Sequence, residues 1–155
     1  IYLLEKYIDQ QLKKFIKKNI KLKVIGNVNK FPNSLKTKIN KAEKLTKLKK
    51  KLQINIALNY GSKEEIIFSI KKLISASSRI NEKNISDNLY TKDIPDPEIL
   101  IRTGNRKRLS NFLLWQSSYT EIFFIKKLWP DFTKSDFKKI IIKFKKTSRN
   151  FGGLK

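Results

Sequence analysis

Three of the five arginines in this chain, Arg102, Arg106 and Arg108, lie within one short stretch. The chain carries 36 cationic residues and uses lysine for nearly all of them, so guanidinium groups are rare elsewhere. A guanidinium fork binds two phosphate oxygens at once, whereas a lysine ammonium acts as a point charge. The cluster indicates a binding site for a phosphorylated ligand. The alternative is a chance cluster on a solvated loop.

The residues on either side of the cluster are predicted to build an anion site. An apolar strand from Ile99 runs into Arg102, and a turn over residues 103–105 follows it. Ser110 is a suitable N-cap for an apolar helix over residues 111–115. Because the first N–H groups of a helix lack intrahelical partners and carry the positive end of its dipole, they attract anions. The pattern therefore predicts strand, basic turn and helix N-terminus around one anion.

Hydrophobic periodicity predicts the elements that hold this site in place. Helices are predicted over residues 1–18, 33–47, 62–75 and 133–147, and strands over residues 22–25, 52–58, 99–101 and 122–125. Residues 81–96 are polar and hold a short helix at most. Ser62 with Glu65 has the spacing of a capping box, and Thr133 with Asp136 is expected to cap the last helix.

Short apolar strands that alternate with helices predict an α/β fold with a parallel sheet covered by helices on both faces. Ligands of such sheets bind beyond the carboxyl ends of the strands. Two turns follow strands in this way, Asn59-Tyr60-Gly61 and Arg102-Thr103-Gly104. We expect both turns to line one cleft.

Composition limits the chemistry. The chain has 155 residues, enough for one domain, and contains neither cysteine nor histidine. Any metal is therefore held by carboxylates and phosphate oxygens, which favours magnesium. The net charge of +23 raises a nucleic-acid-binding alternative, but the lysines are spread along every predicted helix and specific nucleic-acid binding is not expected. No apolar run is long enough to span a membrane, and nothing resembles a signal peptide.

The ordered motifs of the chain resemble those of the cis-prenyltransferases, of which undecaprenyl diphosphate synthase is the bacterial type. The matching stretches are Val24-Ile25-Gly26, residues 42–46 (AEKLT), residues 55–61 (NIALNYG), Arg102-Thr103-Gly104, residues 108–116 (RLSNFLLWQ), Tyr119, Glu121, residues 128–132 (LWPDF) and Phe151-Gly152-Gly153. They cover nearly the whole chain in order.

The resemblance implies a transferase that condenses isopentenyl diphosphate with an allylic prenyl diphosphate into a long-chain cis-polyprenyl diphosphate. It implies that Arg102, Arg108 and Ser110 bind the diphosphate of isopentenyl diphosphate, with Leu109 contributing backbone. Glu121 is implied as a Mg²⁺ ligand. Without the resemblance, Glu121 would be interpreted as an ordinary surface glutamate before a strand.

The family's Asp-Gly-Asn-Gly-Arg motif, which bears the catalytic aspartate, has no counterpart here. Residues 1–155 are therefore expected to be the C-terminal part of a single domain, with the aspartate upstream of Ile1 and no activity in this part alone. A homodimer is expected, with residues 110–132 at its interface. The aromatic side chains of this region are assigned to the core or to that interface, and they are Trp115, Tyr119, Phe123, Phe124, Trp129 and Phe132. We expect a cytoplasmic protein with peripheral membrane contact through its lipid product.

Departures from the family pattern motivate an alternative. Asn105 and Arg106 stand where a glycine and a glutamate are usual, and Ser62-Lys63 replaces Gly-Arg. Asn150 replaces the arginine of an Arg-x-Gly motif, with Arg149 as a substitute. The alternative function is a non-catalytic dimer partner of a cis-prenyltransferase.

Overall fold

The computed structural model describes residues 2–148, which form helices and parallel strands. The helices are α1 (Tyr2–Lys17), α2 (Asn33–Thr46), α3 (Ser62–Ser75), α4 (Glu82–Ser86) and α5 (Lys134–Lys146). The strands are β1 (Ile20–Ile25), β2 (Leu52–Ala57), β3 (Ile99–Arg102) and β4 (Glu121–Phe124), and two 3-10 turns span Val28–Lys30 and Trp129–Asp131. Contacts divide the chain into two compact units, Ile1–Thr91 and Lys92–Lys155. That both belong to one domain stays a prediction.

Parallel pairing of the strands confirms the predicted α/β class. In the first unit β1 pairs with β2, from Ile20 opposite Leu52 to Ile25 opposite Ala57. In the second unit β3 pairs with β4. Parallel neighbours need a crossover between them, and α2 provides it for β1 and β2.

The core of the first unit lies between α1, α2 and the β1–β2 pair. Its fully or nearly buried members are Ile8, Leu22, Leu35, Ile39 and Ala42. Apolar residues of α1 recur at helical spacing, so one stripe of this helix faces the cluster, while the remaining surface carries lysines, acidic residues and some exposed apolar side chains. Burial of this stripe, rather than helix propensity, holds α1 in place.

Side chains of α2 protect the outer edge of β1. The Thr46 hydroxyl accepts the Leu22 N–H at 3.1 Å and donates to the Ala42 carbonyl at 2.8 Å. A Glu43 carboxylate oxygen accepts the Val24 N–H at 2.7 Å. An edge strand with unpaired N–H groups would otherwise be open to pairing with another chain. Residues 42–46 therefore have a structural role, which is to satisfy the free edge of this strand.

Gly26 ends β1 in a conformation that other residues avoid. Its φ is +113°, and a Cβ built there would lie 2.2 Å from the Leu58 carbonyl oxygen. Only glycine accepts both the left-handed backbone and this close approach. The chain can then turn away from the sheet beside the end of β2.

The predicted cap of α5 is confirmed. The Thr133 hydroxyl accepts the Asp136 N–H at 3.2 Å, and Asp136 Oδ2 accepts the Thr133 N–H at 2.8 Å. Lys127 Nζ adds an ion pair to the same carboxylate at 2.8 Å. These bonds hold the pKa of Asp136 well below its usual range, and the bond with the Lys127 side chain has the largest effect. The spacing of residues along the sequence was sufficient to predict this cap because every partner lies within ten residues.

The predicted capping box of α3 is wrong. Gly61 is the N-cap and makes no side-chain cap, while Ser62 is the first residue of the helix. Glu65 is completely buried, and its carboxylate accepts the Tyr60 hydroxyl at 2.5 Å and the Tyr90 N–H at 2.7 Å. Tertiary partners from two other segments have taken the carboxylate that a local cap would use.

The predicted features of the last residues are not covered by the structure. Arg149, Asn150 and the Gly152-Gly153 tail lie outside the described residues. Within residues 2–148, no helix has both the length and the apolar character needed to cross a membrane.

Candidate functional site

Arg102 lies at the carboxyl end of β3, where the ladder with β4 continues into a turn. The Ile125 N–H donates to the Arg102 carbonyl at 2.7 Å. Beyond it, the Gly104 N–H donates to the Lys127 carbonyl at 2.8 Å and the Asn105 N–H to the Ile125 carbonyl at 3.1 Å. The turn is thus tied to the segment after β4 by backbone bonds. Arg102 is consequently anchored on both sides at the end of the strand pair.

The guanidinium of Arg102 contains an unsatisfied donor. Its Nε is buried and has no hydrogen-bond partner within the described part of the chain. A buried donor left without a partner costs about 1–3 kcal/mol, and more when the group is charged. An anion that binds this guanidinium would remove the cost. The observation fits the predicted role of Arg102 in anion binding.

The helix predicted after Ser110 does not form. Residues 110–119 make turns and bends, and Ser110, Asn111 and Leu113 have φ values of 51°, 62° and 47°. A right-handed helix cannot contain these left-handed residues, and an N-cap residue has extended rather than left-handed backbone. A helix dipole therefore does not contribute to the site. Anion binding by residues 102–110 has to rely on side chains and on N–H groups of the turns.

The other predicted ligands lie on the loop that follows Arg102. Arg106, Arg108 and Ser110 are exposed to solvent, and Leu109 is half-buried. The Leu109 carbonyl accepts the Phe112 N–H at 3.1 Å and closes a tight turn over residues 109–112. This turn directly follows Arg108 and contains Ser110. The loop therefore offers two guanidinium groups and a hydroxyl to solvent within five residues.

Glu121 lies away from Arg102. It is the first residue of β4 and pairs with Ile99, whereas Arg102 pairs with Phe124 at the other end of the ladder. The Glu121 N–H donates to the Glu98 carbonyl at 3.0 Å, and the preceding Thr120 hydroxyl donates to the Pro97 carbonyl at 2.6 Å. The structure therefore brings together residues 102–110 on one loop and places Glu121 at the opposite end of the strand pair.

The described residues can supply only part of the ligand set of a magnesium ion. The half-buried Glu121 carboxylate is the hard oxygen donor that Mg²⁺ prefers. Among residues 2–148, however, no group of three or more acidic side chains is close enough to hold a metal ion. Magnesium usually takes one or two carboxylates and completes its shell with phosphate oxygens and water. Glu121 can supply one carboxylate of such a site.

In the first unit, the turn at Asn59 and Gly61 lines a cavity of about 140 Å³. The cavity is lined by Asn27, Lys30, Asn59, Gly61, Glu64, Phe68 and Tyr90. Asn59 has φ 47° and its side-chain amide donates to the Asn27 carbonyl at 2.8 Å, which links the ends of β1 and β2. The sequence predicted a ligand near this turn but gave no signal for Phe68 and Tyr90.

Tyr90 closes one wall of this cavity. Its ring stacks on Phe68 with centroids 5.8 Å apart, and its backbone N–H is held by Glu65. Burial raises the pKa of the Tyr90 phenol, and the charges of Glu65 and Glu64 raise it further. The phenol therefore stays protonated near neutral pH and is available as a hydrogen-bond donor or acceptor.

Comparison with known proteins identifies the family. The sequence profile of the family described as putative undecaprenyl diphosphate synthase matches residues 1–152. The chain belongs to this family of prenyltransferases. An isoprenyl transferase of Prochlorococcus marinus is 43% identical over 161 residues, and one of Campylobacter jejuni is 42% identical over 151 residues.

Two solved structures have the same fold as this chain. A probable undecaprenyl diphosphate synthase from Campylobacter jejuni superposes with a TM-score of 0.89 at 41% identity, covering 98% of this chain and 72% of that one. A lavandulyl diphosphate synthase from Lavandula x intermedia, solved with dimethylallyl diphosphate, gives a TM-score of 0.88 at 29% identity, covering 96% and 68%. The predicted family and fold class are thereby confirmed.

The chain is shorter than the family members that it matches. The match with the Prochlorococcus marinus protein covers 99% of this chain and 59% of that protein. The match with the Campylobacter jejuni protein covers 97% of this chain and 67% of that protein. The chain thus spans about three fifths to two thirds of the length of these curated relatives. The residues of the predicted site all lie within the matched part.

Several aromatic residues predicted for the core or an interface are exposed. Tyr119 and Trp129 are 58% and 69% exposed, and Phe124 is 39% exposed. Trp129 stacks on Phe132 with centroids 5.8 Å apart and planes 9° apart. Tyr119 and Trp129 therefore do not belong to the core, and their assignment to an interface stays a prediction.

Proposed function

We propose that the chain forms the isopentenyl-diphosphate-binding part of a cis-prenyltransferase. The whole protein condenses isopentenyl diphosphate with an allylic prenyl diphosphate and makes a long-chain cis-polyprenyl diphosphate of the undecaprenyl type. The observation that carries this proposal is the family match over residues 1–152 together with the unsatisfied donor of Arg102 at the end of β3. Isoprenyl transferases at 42–43% identity support the same substrate class.

The residues of the loop bind and orient the substrate diphosphate. Arg102 offers a buried Nε and a fixed position, while Arg108 supplies a second guanidinium. The Ser110 hydroxyl donates to a phosphate oxygen, and Leu109 contributes its backbone. A diphosphate carries roughly three negative charges near neutral pH, and preorganised cations bind it more tightly than mobile surface lysines do. The loop thus holds the diphosphate of the condensing substrate, while prenyl transfer occurs at another part of the same substrate molecule.

Glu121 acts as a magnesium ligand in this proposal. Magnesium, when bound, stabilises the charge that develops on a departing pyrophosphate. The second carboxylate ligand of the magnesium comes from the Asp-Gly-Asn-Gly-Arg motif of the family, which has no counterpart in residues 1–155. Prenyl transfer therefore requires residues that this chain does not contain. We expect residues 1–155 alone to be inactive.

The protein acts as a homodimer with residues 110–132 at the interface. The exposed Tyr119, Trp129 and Phe124 support this assignment, because large exposed aromatics are concentrated at protein interfaces. The product is a lipid, so the protein works in the cytoplasm in contact with the membrane that receives the product. A non-catalytic dimer partner is the alternative, and the exposed Arg106, where the family usually carries a glutamate, favours it.

The test uses the whole protein and the Michaelis constant for isopentenyl diphosphate. Arg108→Ala removes charge-assisted hydrogen bonds worth about 1.5–3 kcal/mol, so the constant should rise roughly tenfold to a hundredfold. Lys107→Ala is the matched control, because it removes a neighbouring exposed charge that makes no such bond, and it should change the constant little. Equal constants for the two variants would remove Arg108 from the site. A whole protein with no condensing activity would favour the dimer-partner alternative.

A further inference from the structure

Helix α5 presents an exposed face made almost entirely of lysine. Its six lysines are all solvent-exposed, and they are Lys134, Lys138, Lys139, Lys143, Lys145 and Lys146. The acidic residue of the helix, Asp136, is already engaged by Thr133 and Lys127. Within residues 2–148, none of the six lysines forms an ion pair with a carboxylate. Their charges are therefore available to an external partner.

The lysines are arranged symmetrically about one exposed isoleucine. At roughly 100° per residue, Lys134, Lys138 and Lys145 project about 40–80° to one side of Ile142. Lys139, Lys143 and Lys146 project roughly 40–100° to the other side. Ile142 is 56% exposed, whereas Ile140, nearly opposite on the helix, is 3% exposed and packs inward. One apolar side chain thus stands in the centre of a cationic face about 20 Å long.

Other helices of the chain do not share this arrangement. In α1, Glu5 and Asp9 lie among the lysines, and Asp9 pairs with Lys38 of α2. In α2, Glu43 lies between Lys41 and Lys44. The face of α5 therefore is not a simple repetition of the overall charge of +23.

We propose that this face of α5 binds the anionic phospholipid headgroups of a membrane surface. Basic amphipathic helices lie in the plane of such surfaces, with lysines toward the headgroups and apolar side chains toward the acyl boundary. Each lysine near the surface adds attraction to anionic lipid. Ile142 lies where it inserts between headgroups while lysines on both sides extend around it. The inference rests on the membrane contact proposed above and assigns it to a surface, but its test does not depend on prenyl transfer.

Nucleic acid fits the same face less well. Recognition of nucleic acid commonly uses arginine forks on phosphates and aromatic rings stacked on bases. The lysine face of α5 contains no arginine, and Ser135 lies on the same stripe as Ile142 at its centre. The exposed aromatic residue of the helix, Phe137, is 46% exposed but projects about 140° away from Ile142, outside the lysine face. An isoleucine side chain can insert at a lipid boundary, whereas it cannot form a hydrogen bond with a nucleic-acid phosphate.

The test measures co-sedimentation of the purified protein with vesicles. One vesicle preparation is phosphatidylcholine alone and the other is phosphatidylcholine mixed with phosphatidylglycerol. We expect binding to the anionic vesicles only, weakened by added salt. Replacing Lys139, Lys143 and Lys146 with glutamine should weaken this binding about 100-fold, since each charge contributes roughly fivefold.

A control variant separates the α5 face from the net charge. Lys41, Lys44 and Lys47, exposed at the end of α2, are replaced with glutamine, which lowers the charge by the same amount. This variant should bind within a few-fold of the parent. Equal losses in the two triple variants would overturn the proposal, because they would indicate diffuse attraction of the whole chain.

Ile142→Ser tests insertion and distinguishes lipid from nucleic acid. It should weaken binding to the anionic vesicles roughly tenfold, because the buried apolar side chain is lost, while circular dichroism remains unchanged. An unchanged vesicle affinity in this variant would contradict insertion of Ile142. Binding to single-stranded DNA that is tighter than binding to anionic vesicles at the same salt, and lost in the α5 triple variant, would assign the face to nucleic acid instead.

Discussion

Arg102 and Glu121 lie at opposite ends of the β3–β4 ladder. Arg102 is opposite Phe124, and Glu121 is opposite Ile99, three positions earlier. At about 3.3 Å per residue the two positions are separated by roughly 10 Å along the strands. Because side chains alternate along a strand, they also belong to opposite faces of the pair. Arg102 and Glu121 therefore contact different parts of any ligand that they share.

Glu121→Gln in the whole protein should lower turnover and raise the magnesium concentration needed for half-maximal rate. The amide keeps the shape but loses the negative charge that Mg²⁺ prefers. The measurement is prenyl transfer across a magnesium titration, with the melting temperature in the absence of metal as control. A lowered melting temperature together with unchanged magnesium dependence would show that Glu121 is structural.

Thr46→Val should destabilise the chain by about 1–3 kcal/mol, because the buried Leu22 N–H loses its acceptor while the shape of the side chain is preserved. Thr46 is completely buried, so water cannot replace the lost bond. Thr37→Val on the exposed side of the same helix is the matched control. Urea denaturation of the two variants measures the difference. Equal midpoints would mean that the Thr46 hydroxyl does not hold the edge of β1.

Asn105→Val should destabilise the turn after β3 by roughly 1–2 kcal/mol, since Asn105 has φ 57° and a β-branched residue avoids left-handed backbone. Asn105→Gly should retain or slightly raise stability, because glycine adopts this conformation freely. Lys107→Val, at an exposed position without positive φ, provides the control. Thermal unfolding of the three variants gives the comparison, and equal effects of both valines would contradict the backbone explanation.

Asp136→Asn should lower the melting temperature near neutral pH and have less effect in acid. The folded-state pKa of Asp136 is lowered, first by Lys127 and then by Thr133. Its ionised form therefore contributes stability above the unfolded pKa of about 4, and the contribution is lost as pH falls toward the lower folded value. The difference in melting temperature between parent and variant should be constant above about pH 5 and should shrink progressively as pH falls below about 4. A constant difference at every pH would show that the lost charge is not responsible.

The sequence alone determined the elements whose signals are local. The apolar stripe of α1, the short strands and the Thr133–Asp136 cap depend on residues that are close along the chain. Helix and strand periodicity therefore predicted most boundaries to within a few residues. The ordered motifs also predicted the family, because each motif is read directly from neighbouring residues.

Tertiary structure decided the features whose partners are distant in sequence. Glu65 has the spacing of a cap residue, yet its carboxylate bonds Tyr60 and the backbone of Tyr90, which lies 25 residues away. The apolar run after Ser110 has the composition of a helix, yet left-handed residues turn it back toward the start of β4. Strand register, which periodicity does not fix, separates Glu121 from Arg102. Each outcome depends on free energy gained between segments, and a local pattern carries no information about that gain.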